Sequence, residues 1–393
     1  MIDRRTVLAA GGLGAFACLT GPARGAPTAG PIVSKILLAQ RRLWVAASIG
    51  QSKPYLFVID TGAGFAYIRP EIARDLKLTV VGGRMLGGLG KNQVIGTSYL
   101  AHDVVFGAHI RQPVVGFAGY DFQRGLPPDA AGLLAAGLIT TLDSDFDFDA
   151  GEWRVWPGGR PDRDGFLQLD SEIGGETQAD RYSHRLVVRA ALNGQNYRFI
   201  LDTGDPGGVM LLPQAAKRCG LFNDGTPFAP EPTSGFGGAA AKLSRSVRAQ
   251  NFTLGPLSID HPIVTVMDPD QHSRIDYDGL IGLRLISLLN LSTDVHARRV
   301  WVQRNKRTAE PDGYRLAGLW LDKDKSGAAV VAVVGAGSPA AEAGVRQGDL
   351  VTDPPTFEEA LRHIGGAPGR AVSLGLSREG KPLRAEYTLR PYL

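Results

Sequence analysis

Two carboxylates stand at matching places in a repeated motif of this sequence. The motif is an apolar run that ends at Asp-Thr-Gly, and it occurs as FVIDTGAGFA around Asp60 and as FILDTGDPGG around Asp202. If the two loops meet, both carboxyl groups cannot ionise cheaply, so one keeps a proton while the other stays charged. Such a pair can act as general base towards water and as general acid towards a carbonyl group. The alternative, that each Asp only closes an Asx turn, is disfavoured by the duplication.

The residues after each Asp fit a supporting role. Thr61 and Thr203 can donate hydroxyl hydrogen bonds to backbone across a shared axis, and Gly62 and Gly204 leave room for backbone amides beside the carboxylates. Asp205 adds a third carboxylate and is a candidate modulator of the pair. If it points inward, we expect it to raise the proton affinity of the pair and to shift the pH of activity; if it faces solvent, it does little.

An internal repeat must position the two motifs. The segment from Arg42 aligns with the segment from Arg185, and a Val-Trp strand closes a second matched block in each half. Both first blocks contain an alternating strand, a Gly turn, a strand ending at Asp-Thr-Gly, and a third strand leading to a helix that starts at Pro70 or Pro213. The repeat predicts two β-rich halves related by a pseudo-twofold axis, with PGGRPDRDG at 157–165 as a solvated connector.

Each half also carries a Gly-rich stretch between its two matched blocks. The composition predicts hairpin tips, and their glycines would allow flexible flaps over a cleft, although ordinary hairpins would have the same composition. The candidate flap tips are Gly88, Gly90, Gly235 and Gly237.

The duplicated motif closely resembles that of the aspartic peptidases, in particular their retropepsin-like branch. Residues 60–63 (DTGA) have the family's form, and residues 279–282 (GLIG) have its later hydrophobic-hydrophobic-Gly element. The resemblance covers roughly residues 31–305 and implies peptide hydrolysis by a water held between Asp side chains, without metal or covalent intermediate. It also implies a monomer, because both lobes are fused in one chain. The sequence departs from the family at Asp205, where Ala, Ser or Thr is usual, and at Ala135, where Gly is usual.

The last part of the chain follows a different plan. Residues 338–350 resemble part of a PDZ domain of the kind attached to bacterial envelope proteases, since they contain SPAA, AG and GDL in that order. The sequence TDPPTF that follows is expected to break the next strand of such a domain. The resemblance implies a loop whose backbone amides capture a peptide C terminus while the peptide adds to the sheet as a strand. The candidate peptide-binding residues are Leu316, Gly318, Leu319 and Trp320.

The remaining features exclude several other functions. A net charge of +4 is small for 393 residues and does not indicate binding to nucleic acid or to an anionic membrane. No His/Cys cluster predicts a metal site, and no cofactor is expected. Alternating Asp residues at 143–149 lack the Gly that a calcium loop requires, and we interpret them as a strand with one wet face. Cys219 has no predicted catalytic partner.

Residues 1–26 are predicted to be an export signal. They contain Arg4-Arg5, a short apolar run and a small-residue region, and they resemble a twin-arginine signal, with a Sec signal as the alternative. No later run is long and apolar enough to span a membrane. We therefore expect a periplasmic or cell-envelope location.

Together these observations predict a mainly β fold with two pseudo-twofold-related acid-protease barrel lobes, at 31–157 and 163–305, followed by an α+β PDZ domain at 311–393. The predicted function is an aspartic endopeptidase acting on peptide or protein substrates, with the PDZ domain recruiting substrate or regulating the enzyme through a bound C-terminal peptide. The alternative is a catalytically impaired peptide-binding or adaptor protein of the cell envelope.

Overall fold

A computed structural model describes residues 30–393 except 88, 91, 108, 123–125, 175–183, 236–237, 274 and 312. The export signal predicted at 1–26 and the flap glycines Gly88 and Gly237 lie outside the described residues. The architecture is mainly β, which confirms the predicted fold class. No helix in the described part of the chain is both long and apolar enough to cross a membrane.

The N-terminal half is built from alternating strands that the sequence pattern predicts. Its sheet has the order β2-β3-β4-β9-β5-β8-β7-β6, and β4 and β9 run parallel. The elements are β1 (Ile32–Lys35), β2 (Leu37–Ala39), β3 (Arg42–Ile49), β4 (Tyr55–Asp60), β5 (Ala66–Ile68), α1 (Pro70–Asp75), β6 (Thr79–Leu86), β7 (Val94–Phe106), β8 (Ile110–Gly119), β9 (Ala130–Ala135), α2 (Gly137–Thr140), β10 (Asp143–Asp147) and β11 (Glu152–Trp156).

The C-terminal half repeats the plan of the N-terminal half. Its sheet has the order β17-β20-β23-β16-β24-β15-β14-β21-β22, with β13 paired to β14, and β18 pairs with β19 in a separate hairpin. The elements are β12 (Leu167–Gln168), β13 (Ser171–Ile173), β14 (Leu186–Leu192), β15 (Gln195–Asp202), β16 (Val209–Leu211), α3 (Pro213–Ala216), β17 (Ala229–Glu231), β18 (Ser234–Gly235), β19 (Gly238–Ala239), β20 (Ser244–Arg248), β21 (Asn251–Leu254), β22 (Leu257–Asp260), β23 (Ile263–Val266), β24 (Gly279–Gly282), α4 (Leu283–Ile286), β25 (Leu289–Asp294) and β26 (Arg299–Arg304).

A sheet shared by the two halves joins them. Its order is β1-β11-β10-β25-β26-β12, and the halves meet where Phe146 of β10 faces Leu291 of β25. The aromatic side chains beneath it, Phe106, Phe146 and Trp153, are at most 2% exposed and belong to one core that continues into both halves. A shared core of this kind fixes the two halves relative to each other.

The connector predicted at 157–165 is mostly exposed, but two of its arginines fold back onto β10. Arg160 lies 2.9 Å from Asp145 and Arg163 lies 2.9 Å from Asp143, and none of these four side chains is more than 13% exposed. The connector therefore covers the face of β10 that we interpreted as wet. Sequence periodicity showed that the Asp face differs from the Phe face, but it could not show which later segment folds back onto it.

The C-terminal domain has its own sheet and its own core. The sheet has the order β27-β28-β29-β30-β31, and its buried residues include Leu321, Val331 and Leu374. The elements are β27 (Leu319–Lys323), β28 (Ala329–Val334), α5 (Pro339–Glu342), β29 (Leu350–Asp353), α6 (Phe357–His363), β30 (Ala371–Arg378) and β31 (Lys381–Thr388). The strand that we expected TDPPTF to break forms as β29 and ends immediately before Pro354.

Candidate active site

Each candidate catalytic carboxylate is the last residue of a strand. Asp60 ends β4 and Asp202 ends β15, and each strand pairs in parallel with a later strand of its own half. The apolar runs before them, FVI and FIL, are at most 1% exposed. The carboxylates therefore stand on a rigid, apolar floor, which limits how far they can move.

The threonines of the two loops interlock across the pseudo-twofold axis. The Thr61 hydroxyl donates to the Leu201 carbonyl at 2.5 Å, and the Thr203 hydroxyl donates to the Ile59 carbonyl at 2.7 Å. Each hydroxyl oxygen also accepts the backbone N–H of the other threonine, at 3.0 and 3.1 Å. Both side chains are fully buried. This reciprocal set of four hydrogen bonds holds the two loops in one arrangement.

Backbone amides hold each carboxylate, and the glycines make room for the opposite one. The inner oxygen of Asp60 accepts the N–H groups of Gly62 and Ala63 at 3.0 and 2.9 Å, and Asp202 has the same arrangement in the other loop. A methyl group on Gly62 would overlap the Asp202 carboxylate, and one on Gly204 would overlap that of Asp60. The glycines are therefore required by the approach of the two acids to each other, in addition to the amide contacts that we expected.

Burial raises the pKa of both central carboxyl groups, but unequally. The pKa of Asp60 lies well above its usual range because burial and then the negative charge of Asp202 both disfavour its ionisation. Burial also raises the pKa of Asp202, whereas the hydrogen bond from Asp60 and the positive charge of Arg185 lower it. The pair thus holds one proton over a wide pH range and titrates as a unit.

Asp205 lies inside the site. Burial and then the charge of Asp202 raise the pKa of Asp205 to about 6, while the Gly207 N–H and the charges of Arg42 and Arg41 oppose the shift. One carboxylate oxygen accepts the Gly207 N–H at 2.8 Å, and the Asp205 carbonyl accepts the Leu283 N–H at 2.7 Å. The equivalent residue in the first motif is Ala63, which has no carboxylate. The site therefore contains the paired acids and one additional carboxylate, which comes from the C-terminal half only.

Arginines from each half contact the loop of the other half, which the sequence analysis missed. Arg42 donates to the Gly204 carbonyl and Arg185 donates to the Gly62 carbonyl, both at 3.0 Å. They are the first residues of the two aligned repeat segments, so their equivalence is visible in the sequence. What the sequence could not show is the long-range contact, which exists only because the repeats face each other. The adjacent Arg41 also reaches this loop, donating to the Pro206 carbonyl at 3.0 Å.

Apolar side chains flank the acids on both sides. Val58 and Ile200 each precede an Asp by two residues, so they lie on the same strand face as the carboxylates. Val58 belongs to a buried cluster that is rich in aromatic side chains, and Ile200 to a smaller cluster with Leu280 and Tyr277. The first wall is therefore more aromatic than the second.

The two flaps meet over these walls. Leu89, in the tip that joins β6 to β7, packs against the Ile200 cluster of the other half. A methyl group on Gly235 of the second hairpin would lie 3.1 Å from the Leu89 Cβ, and Gly90 is buried. Gly235 therefore lies beside Leu89, which packs on the second wall, and Gly90 follows Leu89 in the chain.

The two family departures have different structural surroundings. Ala135 pairs with Asp60 and is accommodated at 8% exposure, whereas a methyl group on its counterpart Gly282 would overlap the Gly207 carbonyl. The loop after Asp202 thus lies closer to Gly282 of β24 than the loop after Asp60 lies to Ala135 of β9. This position therefore accommodates a methyl group in the N-terminal half but not in the C-terminal half.

The candidate peptide-binding residues of the C-terminal domain lie at the start of β27 or just before it. Leu319 is buried in the domain core and Leu316 packs against it. Gly318 has a positive φ of 70°, and its N–H donates to the Arg315 carbonyl at 3.0 Å. The Trp320 indole N–H donates to Asp322 at 2.8 Å.

No group of three or more His, Cys, Asp or Glu side chains in the described part of the chain is arranged to hold a metal ion. The chemistry that the arrangement offers is proton transfer between two carboxyl groups and a water molecule, since one group is neutral while the other is charged.

Comparison with known proteins adds a family match for part of the chain. Residues 188–285 match the Aspartyl protease family, and this segment contains Asp202 and the GLIG element. Among curated proteins, none matches the sequence. The family match supports a protease-type function for the segment that carries the second motif.

Similar solved structures include two seed globulins and a fungal proteinase. Basic 7S globulin from soybean gives a TM-score of 0.44 at 13% identity, covering 70% of this chain and 95% of the globulin. Conglutin gamma from lupine seeds, also a basic 7S globulin, gives 0.42 at 10% identity, covering 70% and 95%. Aspartic proteinase from Irpex lacteus gives 0.40 at 13% identity, covering 70% and 98%.

Proposed function

We propose that the protein is an aspartic endopeptidase whose catalytic residues are Asp60 and Asp202. The observation that carries this proposal is the interlocking of the two Asp-Thr-Gly loops, which brings two buried carboxyl groups into hydrogen-bonding contact. The family match over residues 188–285 supports the same assignment.

Because the pair holds one proton, one acid is charged while the other is neutral, and the positive charge of Arg185 favours the charge on Asp202. Asp202 is the charged partner and takes a proton from a water molecule as the water oxygen attacks the peptide carbonyl carbon. Asp60 is the neutral partner and gives its proton to the carbonyl oxygen, which yields a tetrahedral diol. When the C–N bond breaks, the amine nitrogen takes the proton held by Asp202 and one diol hydroxyl returns its proton to Asp60. The products are a carboxyl group and an amine, and the pair regains its starting state.

The substrate that fits this site is an extended peptide with apolar side chains beside the cleaved bond. The partly exposed members of the Val58 and Ile200 clusters, such as Phe65 and Met210, would contact the side chains on either side of that bond. Flap strands offer backbone groups that could hold the peptide main chain as an added strand. The flaps must open first, because Leu89 covers part of the second wall.

For the C-terminal domain we propose a PDZ-like peptide-binding role. β27 is an edge strand of its sheet, and α6 lies against it, so a peptide could add along β27 beside the helix. A single chain with both acids supports a monomer, and the N-terminal sequence supports export to the periplasm or cell envelope.

Cleavage of a diverse peptide library tests the activity. The protein should be assayed from about pH 3 to 8 beside Asp60→Asn and Asp202→Asn, with Asp270→Asn, whose side chain is 80% exposed, as the matched control. We expect both active-site variants to lose cleavage while the control keeps it, with folding checked by circular dichroism. Cleavage that persists in Asp60→Asn and Asp202→Asn would refute the assignment.

The adaptor alternative is favoured by a specific observation, the third carboxylate at Asp205. If the wild-type protein cleaves no peptide at any pH but binds peptides through its C-terminal domain, the binding function is correct.

A further inference from the structure

The sheet face that carries Asp202 continues outward beyond the second wall. Side chains two residues apart on a strand lie on the same face, so Asp202, Ile200 and Arg198 form one row along β15. The antiparallel neighbour β14 adds a matching row, because Val187 pairs with Ile200 and Arg189 pairs with Arg198. Two residues beyond the apolar wall, this face therefore carries two arginines side by side.

The two arginines line a depression of about 380 Å³. The other charged residues of its lining are Asp170, Glu172 and Arg299. Val187 also lines the depression and belongs to the Ile200 cluster. The Arg198 guanidinium carbon lies 5.2 Å from the centre of the ring of Tyr277, another member of that cluster. The depression is therefore continuous with the wall that flanks Asp202.

The charges in the depression favour an anion. Its lining contains three arginines and two carboxylates. Arg189 lies 3.4 Å from Asp170, but both side chains are more than half exposed, so this ion pair is weak. Arg299 donates to the Ser171 carbonyl at 2.7 Å and, within the described residues, has no carboxylate partner. A carboxylate that enters the depression would therefore meet one uncompensated arginine and could compete with Asp170 for another.

The equivalent place in the N-terminal half carries apolar residues. The repeat aligns Ala46 with Arg189 and Leu56 with Arg198. Ala46 and Leu56 pair across β3 and β4, just as the arginines pair across β14 and β15. Leu56 is 46% exposed, so its side chain is available to a ligand. The sheet face beyond the first wall is thus apolar, whereas the face beyond the second wall is cationic.

We propose that the depression is a subsite for an acidic side chain of the peptide substrate, about four residues from the cleaved bond. Arg198 lies four residues from Asp202 along β15, about 13 Å, and an extended peptide covers that distance in the same number of residues. Because the two ends of the cleft differ in charge, an acidic residue that binds here also fixes which way the peptide lies. This subsite rests on the proposed function and names part of its substrate class.

Cleavage of matched peptides tests the subsite. Each peptide has apolar residues beside the bond and Glu or Gln at the fourth residue before or after it. On one side of the bond we expect kcat/KM to be about fivefold higher with Glu than with Gln, mainly through a lower KM. Raising the salt from about 0.05 M to 0.5 M should reduce this preference, because exposed charges are screened. No preference for Glu, or an equal preference on both sides, would overturn the proposal.

Three variants test whether the preference arises in the depression. Arg299→Gln should reduce it to below about twofold, whereas Asp170→Asn should increase it, because the acid that competes for Arg189 is gone. A general loss of structure would not produce such an increase. Arg111→Gln removes an exposed arginine of β8 in the other half and should keep the wild-type preference. An unchanged preference in Arg299→Gln, or a decrease in Asp170→Asn, would overturn the proposal.

Peptide binding separates failure of the subsite from failure of the proposed function. Fluorescence anisotropy of the labelled Glu and Gln peptides measures their affinity for the full chain carrying Asp60→Asn, without cleavage. If the Glu peptide binds about fivefold tighter and Arg299→Gln removes the difference, but the wild-type protein cleaves no peptide, the enzymatic function fails and the subsite is supported. If peptides are cleaved with no preference for Glu in rate or affinity, the enzymatic function is supported and the subsite fails.

Discussion

Replacing Asp205 with Asn should stabilise the protein at neutral pH and leave its stability at acid pH unchanged. In the folded protein the pKa of Asp205 is raised from the usual 3.8 to about 6, mainly by burial and by the charge of Asp202. At about 1.4 kcal/mol per pH unit, ionising Asp205 in the fold costs about 3 kcal/mol relative to the unfolded chain. Asn is neutral and can still accept the Gly207 N–H, so it avoids this cost.

The sign of the effect follows from which state binds the proton. Below pH 3.8 Asp205 is protonated in both states, so wild type and variant should be equally stable. As the pH rises towards 6, the unfolded chain loses its proton first, and wild-type stability falls. Above about pH 6 the full cost is present, because Asp205 is ionised in both states. The attraction of Arg42 and Arg41 is already included, since both lower this pKa.

The assay is urea unfolding of both proteins at about pH 3.5 and pH 7, followed by circular dichroism. We expect the stability difference to grow from near zero to about 3 kcal/mol in favour of Asp205→Asn. Asp270→Asn serves as the exposed control and should change stability by less than about 0.5 kcal/mol at either pH. A variant that gains nothing at pH 7, or gains as much at pH 3.5, would show that Asp205 is not a buried, destabilised carboxylate.

Three further substitutions test the geometry around the two acids. Gly204→Ala should abolish cleavage, because its methyl group would overlap the Asp60 carboxylate; retained activity would contradict this. Thr203→Val removes a buried hydroxyl that donates across the axis, so unfolding should become easier by about 1 to 3 kcal/mol, measured by urea. Arg185→Gln removes a positive charge that lowers the pKa of Asp202, so the acid limb of the pH–rate profile should move to higher pH; an unmoved limb would argue against this charge effect.

The repeat made much of the site predictable, because duplicated motifs carry information about long-range contacts. Two copies of Asp-Thr-Gly imply a shared axis, and from it the cross-axis roles of Thr61 and Thr203 follow. The Asp-rich face of β10 shows the limit of this reasoning. A period of two separates the faces of a strand, but burial of the Asp face depends on Arg160 and Arg163 in a segment with no repeat counterpart.

The contact of Arg41 with the loop after Asp202 was unpredictable for a related reason. Arg41 is a charged residue in a turn, where charge is common, and it has no motif. Only the folded chain brings its guanidinium group to the Pro206 carbonyl of the other half.

The two halves supply equivalent carboxylates in unequal surroundings. A perfectly symmetric pair would hold its proton on either acid with equal probability. Here the hydrogen bond from Asp60 and the charge of Arg185 favour ionisation of Asp202, while burial and the charge of Asp202 keep Asp60 protonated. Gly282 lets the loop after Asp202 pack closely enough for the Asp205 carbonyl to accept the Leu283 N–H, whereas Ala135 occupies the matching place in the first half. In the proposed mechanism, these unequal surroundings give the role of base to Asp202 and the role of acid to Asp60.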